Sequence, residues 1–334
     1  MGLIIGIVGA TGAVGQKMIE ILIERNIPIK ELRLFASEKS AGKKIQFKDR
    51  EVEVELLTKE AMREKYDYLL FAAGGKVSAE FGPIAAEAGN IVIDNSSHFR
   101  MMDGIPLVVP EINGHILKGY RGIIANPNCS TTQMLIAIGP IYKKYGIKRI
   151  VVSTYQAVSG SGYKAIEELK NQLQDETYPN KVYTRKIAGN CIPHIDEFNQ
   201  NGFTKEELKM VYETHKILGD NSIEINPTTV RVPVFYGHSE SIYLELMEEA
   251  NIQEIRDLLK KSEGVIVEDE PKENKYPTPL EVAGTDYTYV GRIRKDIFNP
   301  KALSLWVVAD NLRKGAATNA IQILEKIEEY KLEG

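Results

Sequence analysis

The sequence is poor in cysteine and has no excess of positive charge. Only two of its 334 residues are cysteine, Cys129 and Cys191, and they lie far apart. This excludes a disulfide scaffold and fits the reducing cytoplasm. The formal net charge is only −4, so the chain as a whole does not attract nucleic acid. Any anion-binding site must therefore be built locally.

Long hydrophobic runs are also missing. No apolar stretch approaches the roughly 18 to 20 residues that a membrane helix needs, so we expect no membrane contact. Residues 1–8 lack a basic region and predict a first strand instead of a signal peptide. There is no internal repeat or low-complexity tract. A chain of this length predicts two domains, each with its own core.

Short apolar runs alternate with helical patterns in the first third of the chain. We predict strands at 3–8, 31–36, 52–57, 68–73 and 91–93, and helices at 16–25 and 78–88. This alternation is typical of an α/β fold, a Rossmann-like doubly wound parallel sheet.

The pattern changes after about residue 150. Predicted strands at 151–157, 228–234, 241–246 and 304–309 are not regularly interleaved with helices, which we place at 162–174 and 204–212. This predicts a C-terminal α+β domain of mostly antiparallel sheet. The last amphipathic helix, 315–330, could return to the first domain. We therefore predict one domain of 1–127 plus 315–334 and a second of 128–314.

A glycine-rich turn follows the first predicted strand and opens the first helix. Gly9, Gly12 and Gly15 have the spacing G-x-x-G-x-x-G. In this context glycine lets the backbone turn tightly and approach a pyrophosphate, which free N–H groups at the helix start then bind. A tight turn without a ligand is the competing interpretation.

The end of the second predicted strand favours NADP over NAD. NAD enzymes usually place an acidic residue there to accept from the ribose 2′-hydroxyl. Here Ser37, Lys39 and Ser40 could bind a 2′-phosphate, and we expect Glu38 to point outward. A solvated polar loop is the alternative.

Cys129 stands at a predicted helix start. A proline and two asparagines precede it at 126–128, and an apolar helical pattern follows at 133–138. The positive end of a helix favours thiolate over thiol, and a thiolate suits attack on a carbonyl carbon. The alternative is a buried, inert cysteine. We accept that interpretation for Cys191, but the polar setting of Cys129 argues against it.

Spacing alone cannot assign an acid–base partner among the five histidines. His238 stands out because it follows the strand-like run at 228–234. Arg231, seven residues earlier, would face the opposite side of a regular strand. A bend at Pro233 or Gly237 would let Arg231 and His238 converge.

Several segments, in the same order, resemble the aspartate-β-semialdehyde dehydrogenase family nearly end to end. They are residues 9–15, 126–131, 155–160, 213–218, 231–238 and 311–317. The resemblance implies NADPH-dependent conversion of L-aspartyl 4-phosphate to L-aspartate 4-semialdehyde, in the biosynthesis of lysine, threonine, methionine and isoleucine. It implies a cytoplasmic homodimer, or a tetramer, with the second sheet as the interface and no metal ion.

The resemblance also implies roles for the matching residues. Cys129 is the nucleophile, His238 the acid–base, and Gln156 orients the reacting group. The implied substrate contacts are Arg231 to the carboxylate, Glu213 to the ammonium, and Arg100, Lys216 and Asn128 to the phosphate. The candidate cofactor contacts are Gly9, Thr11, Gly12, Ala13, Val14, Ser37, Lys39, Ser40, Gly74, Ser159, Gly160 and Asn311.

The implied reaction proceeds through a thioester on Cys129. Phosphate leaves, NADPH reduces the thioester, and His238 takes a proton as the thiohemiacetal collapses. We expect backbone N–H groups at the helix start, including that of Cys129, to stabilise the oxyanion.

Two other functions stay open. N-acetyl-γ-glutamyl-phosphate reductase performs the same chemistry on a substrate without a free ammonium, which would not need Glu213. A catalytically silent binding or structural protein would be expected to lose Cys129 or His238.

Overall fold

The computed structural model describes residues 2–333. The chain divides into two compact units, Met1–Pro127 with Ala316–Gly334 and Asn128–Gly315. Gly315, which the sequence prediction assigned to the first domain, belongs to the second unit.

The elements are named in chain order. The strands are β1 (Leu3–Val8), β2 (Ile29–Ala36), β3 (Lys44–Phe47), β4 (Arg50–Leu56), β5 (Tyr68–Phe71), β6 (Ile91–Asp94), β7 (Ile123–Ala125), β8 (Ile147–Gln156), β9 (Glu224–Arg231), β10 (His238–Leu246), β11 (Val265–Val267), β12 (Thr288–Lys295) and β13 (Ala302–Ala309). The helices are α1 (Ala13–Glu24), α2 (Lys59–Arg63), α3 (Gly75–Glu87), α4 (Pro110–Asn113), α5 (Cys129–Tyr145), α6 (Tyr163–Gln174), α7 (Lys205–Leu218), α8 (Ile252–Lys260), α9 (Pro279–Val282) and α10 (Thr318–Glu333).

The first unit confirms the predicted doubly wound sheet. Its seven strands have the order β3-β4-β2-β1-β5-β6-β7, and all neighbours are parallel except β3 and β4. One apolar core joins Ile5 and Ile7 of β1 to α1 and α10, and a second joins Val8 to α2 and α3. Because both faces of β1 are covered, its sequence is a continuous apolar run instead of an alternating one.

The second unit confirms a mostly antiparallel sheet. Its six strands have the order β11-β12-β13-β10-β8-β9. The pairs β12–β13, β13–β10 and β10–β8 are antiparallel, whereas β8–β9 and β11–β12 are parallel. Helix α5 packs against several of these strands. Near the start of α5, the side chain of Gln133 donates to the carbonyl of His238, the first residue of β10, at 3.4 Å.

In the second unit, two predicted elements end several residues away from the observed ends. The strand predicted at 228–234 stops at Arg231, and the chain then leaves the sheet through Pro233, which has no N–H to donate to a neighbouring strand. The helix predicted at 204–212 continues to Leu218. A reciprocal capping box between Thr204 and Glu207 starts this helix. Strands β3, β7, β11 and β12 were not predicted.

The described part of the chain, 2–333, contains no helix that is both long and apolar enough to cross a membrane. Cys129 and Cys191 form no disulfide bond.

Candidate active site

Cys129 is the first residue of α5, which confirms the predicted helix start. Asn128 is the N-cap, and its Oδ1 accepts from the backbone N–H groups of Ser130 at 3.0 Å and Thr131 at 3.3 Å. The cap leaves the Cys129 side chain partly exposed at the positive end of a 17-residue helix. The cap also engages the N–H groups of Ser130 and Thr131. The expectation that the N–H of Cys129 stabilises an oxyanion stays a prediction.

Gly315 packs directly on Cys129. A Cβ at position 315 would lie 2.7 Å from the Cβ of Cys129 and 3.2 Å from its Cα. No side chain fits in this space. Glycine here is therefore a packing requirement of the residue at the start of α5.

Gln156, Arg231 and His238 converge on the end of β8. Arg231 is the partner of Gln156 in the parallel β8–β9 pair, and His238 opens β10 on the opposite edge of β8. Arg231 and His238 therefore do converge, a point that the sequence left open, but not through a bend or bulge in one strand. The two residues do not lie on one bent strand; they end one strand and begin another, with β8 between them.

The backbone of Ala157 bonds both side chains. Its N–H donates to Nδ1 of His238 at 3.0 Å, and its carbonyl accepts from Nη1 of Arg231 at 2.7 Å. Gly160 lies against the same pair, because a Cβ there would be 3.1 Å from Nη1 of Arg231 and 3.3 Å from Nε2 of His238. The loop after β8 therefore sets the position of both groups.

These contacts select one tautomer of His238. Nδ1 accepts a hydrogen bond, so the proton of the neutral ring sits on Nε2. Nε2 has no hydrogen-bond partner among the described residues. Burial, and then the charge of Arg231, holds the pKa of His238 well below its ordinary 6.5. The ring is therefore a neutral donor near pH 7.

Arg231 is buried, and no anionic side chain within residues 2–333 pairs with it. Its only side-chain hydrogen bond among these residues goes to the Ala157 carbonyl, and its Nε has no partner there. A buried guanidinium normally has a compensating anion. Its geometry thus suits a planar carboxylate ligand.

Helix α7 carries the next group. Glu213 is buried, and its Oε2 accepts from the backbone N–H of Asn128 at 2.7 Å. Lys216 lies one turn further along the helix, on the same side. Two turns before Glu213 lies Glu206, which bonds the side chains of Asn128 and Gln156. Glu206 was not predicted as a site residue. Its spacing of seven residues from Glu213, which places both on one face of a helix, was the signal that could have found it.

Asn311 and Ser159 form a separate pair in the second unit. Their side chains hydrogen-bond at 3.0 to 3.1 Å, and Oδ1 of Asn311 also accepts from the Gly237 N–H at 3.0 Å. Both residues are buried. The pair joins the loop after β8 to the end of β13.

The first unit has a cleft of about 430 Å³ at the carboxyl ends of β1 and β2. It is lined by Val8, Gly9, Thr11, Gly12, Ala36, Ser37, Leu57, Ala73, Val77 and Phe81. Gly12 is the N-cap of α1, and no side chain caps the first N–H groups of this helix. A ligand anion can therefore bind them.

Glycine is required at Gly9 and Gly15 of the turn for different physical reasons, whereas Gly12 has room for a side chain. A Cβ at Gly15 would lie 2.3 Å from the Gly9 carbonyl oxygen, and Gly9 itself has φ +85°. Gly15 therefore serves the close approach of α1 to the turn after β1, whereas a Cβ at Gly9 would lie 2.8 Å from the backbone of Ala72, after β5. At Gly12 and Gly74 there is room: the nearest contact of a Cβ is 3.4 Å at Gly12, and none lies within 4 Å at Gly74.

The remaining predicted residues of this unit lie in two places. Ser37, Lys39 and Ser40 form a turn after β2, and Glu38 is exposed. Arg100 is buried, and its guanidinium donates to the carbonyls of Asn126 at 2.9 Å and Asn95 at 3.1 Å.

The prediction of a buried Cys191 is wrong. Its side chain is exposed. The next residue, Ile192, forms a bridge with Arg231 and points into the core, so the alternating backbone turns Cys191 outward.

The chain matches known proteins along almost its whole length. The NAD binding domain of the semialdehyde dehydrogenase family matches residues 4–120, and the dimerisation domain of that family matches residues 138–314. The aspartate-semialdehyde dehydrogenase of Aquifex aeolicus is 54% identical over 333 residues, which cover 97% of this chain and 98% of that protein. The Bacillus subtilis protein of the same name is 46% identical, with 99% of both chains covered.

A solved structure gives the same result. Aspartate semialdehyde dehydrogenase II of Vibrio cholerae, complexed with ASA, superposes with a TM-score of 0.95 at 47% identity, covering 98% of this chain and 99% of that one. The dinucleotide-type sheet, the cysteine at a helix start and these matches define an oxidoreductase of the semialdehyde dehydrogenase class. Within that class, the chain belongs to the aspartate-semialdehyde dehydrogenase family.

Proposed function

We propose that this enzyme reduces L-aspartyl 4-phosphate to L-aspartate 4-semialdehyde and phosphate with NADPH, through a thioester on Cys129. The reaction belongs to the biosynthesis of lysine, threonine, methionine and isoleucine. The observation that carries the proposal is the placement of Cys129 at the capped start of α5, in the unit where Gln156, Arg231 and His238 converge. Family membership gives the substrate class.

Cys129 acts as the nucleophile. The positive end of α5 stabilises its thiolate, which forms a C–S bond to the acyl carbon while the C–O bond to phosphate breaks. The bound cofactor supplies the hydride that reduces the thioester. The resulting oxyanion re-forms a carbonyl as the C–S bond breaks, which releases the aldehyde and restores the thiolate.

His238 stabilises the oxyanions of this sequence as a donor. Its proton is on Nε2, which has no hydrogen-bond partner within residues 2–333, so it can donate to a developing negative oxygen. Proton uptake at Nδ1 would oppose the N–H of Ala157, which favours a neutral ring throughout. The biosynthetic direction needs no net proton transfer to the aldehyde oxygen, so a donor suffices. This revises the role of proton acceptor that the family resemblance implied.

The substrate has two anionic ends and one ammonium. Arg231 is the proposed carboxylate ligand, because it is buried and has no anionic partner within the described chain. Glu213 is the proposed ammonium ligand. Arg100, Lys216 and Asn128 are the proposed phosphate ligands. Gln156 orients the reacting carbonyl.

The cleft of the first unit fits a dinucleotide. The uncapped start of α1 suits its pyrophosphate, with Gly9, Thr11, Gly12, Ala13 and Val14 as the backbone that approaches it. The turn of Ser37, Lys39 and Ser40 suits a 2′-phosphate, and this supports NADP over NAD. The proposed contacts also include Gly74, Ser159, Gly160 and Asn311.

We further propose a cytoplasmic homodimer, which can assemble to a tetramer, with the sheet of the second unit as its interface. The match to a dimerisation domain and the exposed apolar side chains on that sheet, such as Val151 and Tyr155, support the homodimer. Light scattering at working concentration tests the assembly, and a stable monomer would contradict it.

The reverse reaction gives the most direct test of the activity. Purified enzyme is mixed with L-aspartate 4-semialdehyde, phosphate and NADP, and NADPH formation is followed at 340 nm in parallel with NAD. We expect phosphate-dependent turnover that prefers NADP and disappears in Cys129→Ala. Preference for N-acetylglutamate 5-semialdehyde would reassign the substrate, and undiminished turnover by Cys129→Ala would reject the thioester.

A further inference from the structure

Glu206 is a buried carboxylate that links two parts of the candidate active site. It is the second residue of α7 and is 5% exposed. Its Oε1 accepts from Nδ2 of Asn128 at 2.9 Å and from Nε2 of Gln156 at 3.1 Å. One oxygen therefore bonds both the N-cap before the nucleophile and the amide at the end of β8.

These two bonds fix the direction of each amide. With Nδ2 of Asn128 bound to Glu206, its Oδ1 points the other way, onto the N–H groups of Ser130 and Thr131. Gln156 behaves in the same way: its Nε2 faces Glu206, and its Oε1 accepts from Oγ1 of Thr154 at 3.1 Å. Neither amide can reverse without losing bonds at both ends.

The charge of Glu206 is compensated on its other side. Oε2 accepts from Nζ of Lys209 at 3.1 Å, and Lys209 also bonds Asp196 at 2.8 Å. Burial by itself raises the pKa of Glu206, but the charge of Lys209 and the bonds from Asn128 and Gln156 outweigh it and lower the pKa. The group is therefore a carboxylate, which can only accept hydrogen bonds.

We propose that Glu206 is a positioning residue of this reaction: its carboxylate orients Asn128 and Gln156 and thereby places the Cys129 nucleophile and the reacting carbonyl. This inference rests on the proposed function. Glu206 itself touches neither reacting group in the proposed scheme.

The variant Glu206→Gln tests the requirement for two acceptor oxygens. The amide that replaces the carboxylate has one N–H₂ group, which must face either Lys209 or the amides of Asn128 and Gln156, all of them donors. The double variant Glu206→Gln with Lys209→Met removes the donor on one side. Its amide oxygen can then bond Asn128 and Gln156 again, so we expect recovery.

Glu207→Gln is the matched control. Glu207 is the adjacent residue and is also buried, but its oxygens accept from the backbone N–H groups of Thr204 at 2.7 Å and Thr229 at 3.0 Å. These bonds serve the start of α7 and its packing on β9. The control therefore measures how much the loss of a buried hydrogen bond at the start of α7 lowers the stability of the fold.

We expect Glu206→Gln to lower kcat at least tenfold while KM for NADP changes less than twofold. The double variant should return kcat to within about threefold of the unmodified enzyme. Glu207→Gln should lower the melting temperature with kcat changed less than twofold. If Glu206→Gln does not fold, the test rests on the double variant, whose kcat should still lie within about threefold of the unmodified enzyme.

Three results would overturn the inference. They are a Glu206→Gln enzyme with kcat within twofold of normal, a folded double variant that stays tenfold or more below normal, and an equal kcat loss in Glu207→Gln. An unmodified enzyme that turns over no semialdehyde would instead contradict the proposed function. The two failures are therefore distinguishable.

Discussion

Replacing Gly315 by alanine tests whether the start of α5 must be placed within a fraction of an ångström. The new Cβ would lie 2.7 Å from the Cβ of Cys129, whereas ordinary contact begins at 3.4 Å. Either the turn that contains Gly315 or the first residue of α5 must therefore move. Overpacking of this kind costs about 1–3 kcal/mol of the free energy of unfolding.

The expected effect on turnover is larger than the effect on stability. A misplacement of about 1 Å can cost roughly 10²-fold in rate, because the nucleophile leaves its attack geometry. We therefore expect Gly315→Ala to lower kcat by tens-fold to about 10²-fold, with KM for NADP nearly unchanged. NADP reduction with L-aspartate 4-semialdehyde and phosphate measures this, and urea unfolding measures the stability.

Gly114→Ala is the control for the Gly315 experiment. Gly114 has an ordinary helical φ of −57°, and a Cβ there meets nothing nearer than 3.6 Å. The same chemical change should then leave kcat within twofold and the fold intact. A Gly315→Ala enzyme as active and as stable as Gly114→Ala would show that the start of α5 tolerates a side chain at position 315.

Three further predictions concern single side chains. His238→Ala should lower kcat about 10²- to 10³-fold without abolishing it, because one oxyanion donor is lost. The kcat of the unmodified enzyme should show no group with the pKa of an ordinary histidine near 6.5, since the pKa of His238 lies well below it; full activity of the variant would contradict the donor role. Arg231→Lys should raise KM for the semialdehyde at least tenfold at unchanged melting temperature, because an ammonium cannot form the bidentate bond; an unchanged KM would move the carboxylate site elsewhere. Burial raises the pKa of Glu240 well above its ordinary 4.5, so the stability that its protonated form contributes is complete below about pH 4.5 and is lost as pH rises through the folded-state pKa. Glu240→Gln should therefore gain melting temperature over the unmodified protein from pH 5 to pH 8, and a constant difference would show that Glu240 does not titrate.

Local patterns predicted much of the first unit. The apolar run of β1, the glycine turn and α1 are adjacent in sequence, so their arrangement follows from backbone sterics and burial. The same holds for Cys129, because its cap, Asn128, precedes it directly. The short strands β3, β7 and β11 escaped prediction, since three or four residues give too little periodicity to separate a strand from a loop.

Other features came from pairing between distant segments. Spacing along the chain suggested a bend between Arg231 and His238, whereas the sheet places β8 between the two strands that carry them. The orientation of Cys191 was predicted wrongly for the same reason, because the pairing of Ile192 with Arg231 decides which side chain faces the core.

The sequence by itself determined the class of fold, the cysteine at a helix start and the dinucleotide turn. The last two depend on adjacent residues, and the first depends on the order of local strand and helix patterns along the chain. Only the tertiary structure decided which nitrogen of His238 carries the proton, which N–H groups at the start of α5 are engaged, and that Glu206 bonds both Asn128 and Gln156. Hydrogen bonds are directional and act within about 3 Å, so their partners are set by how strands and helices pack and not by distance along the chain.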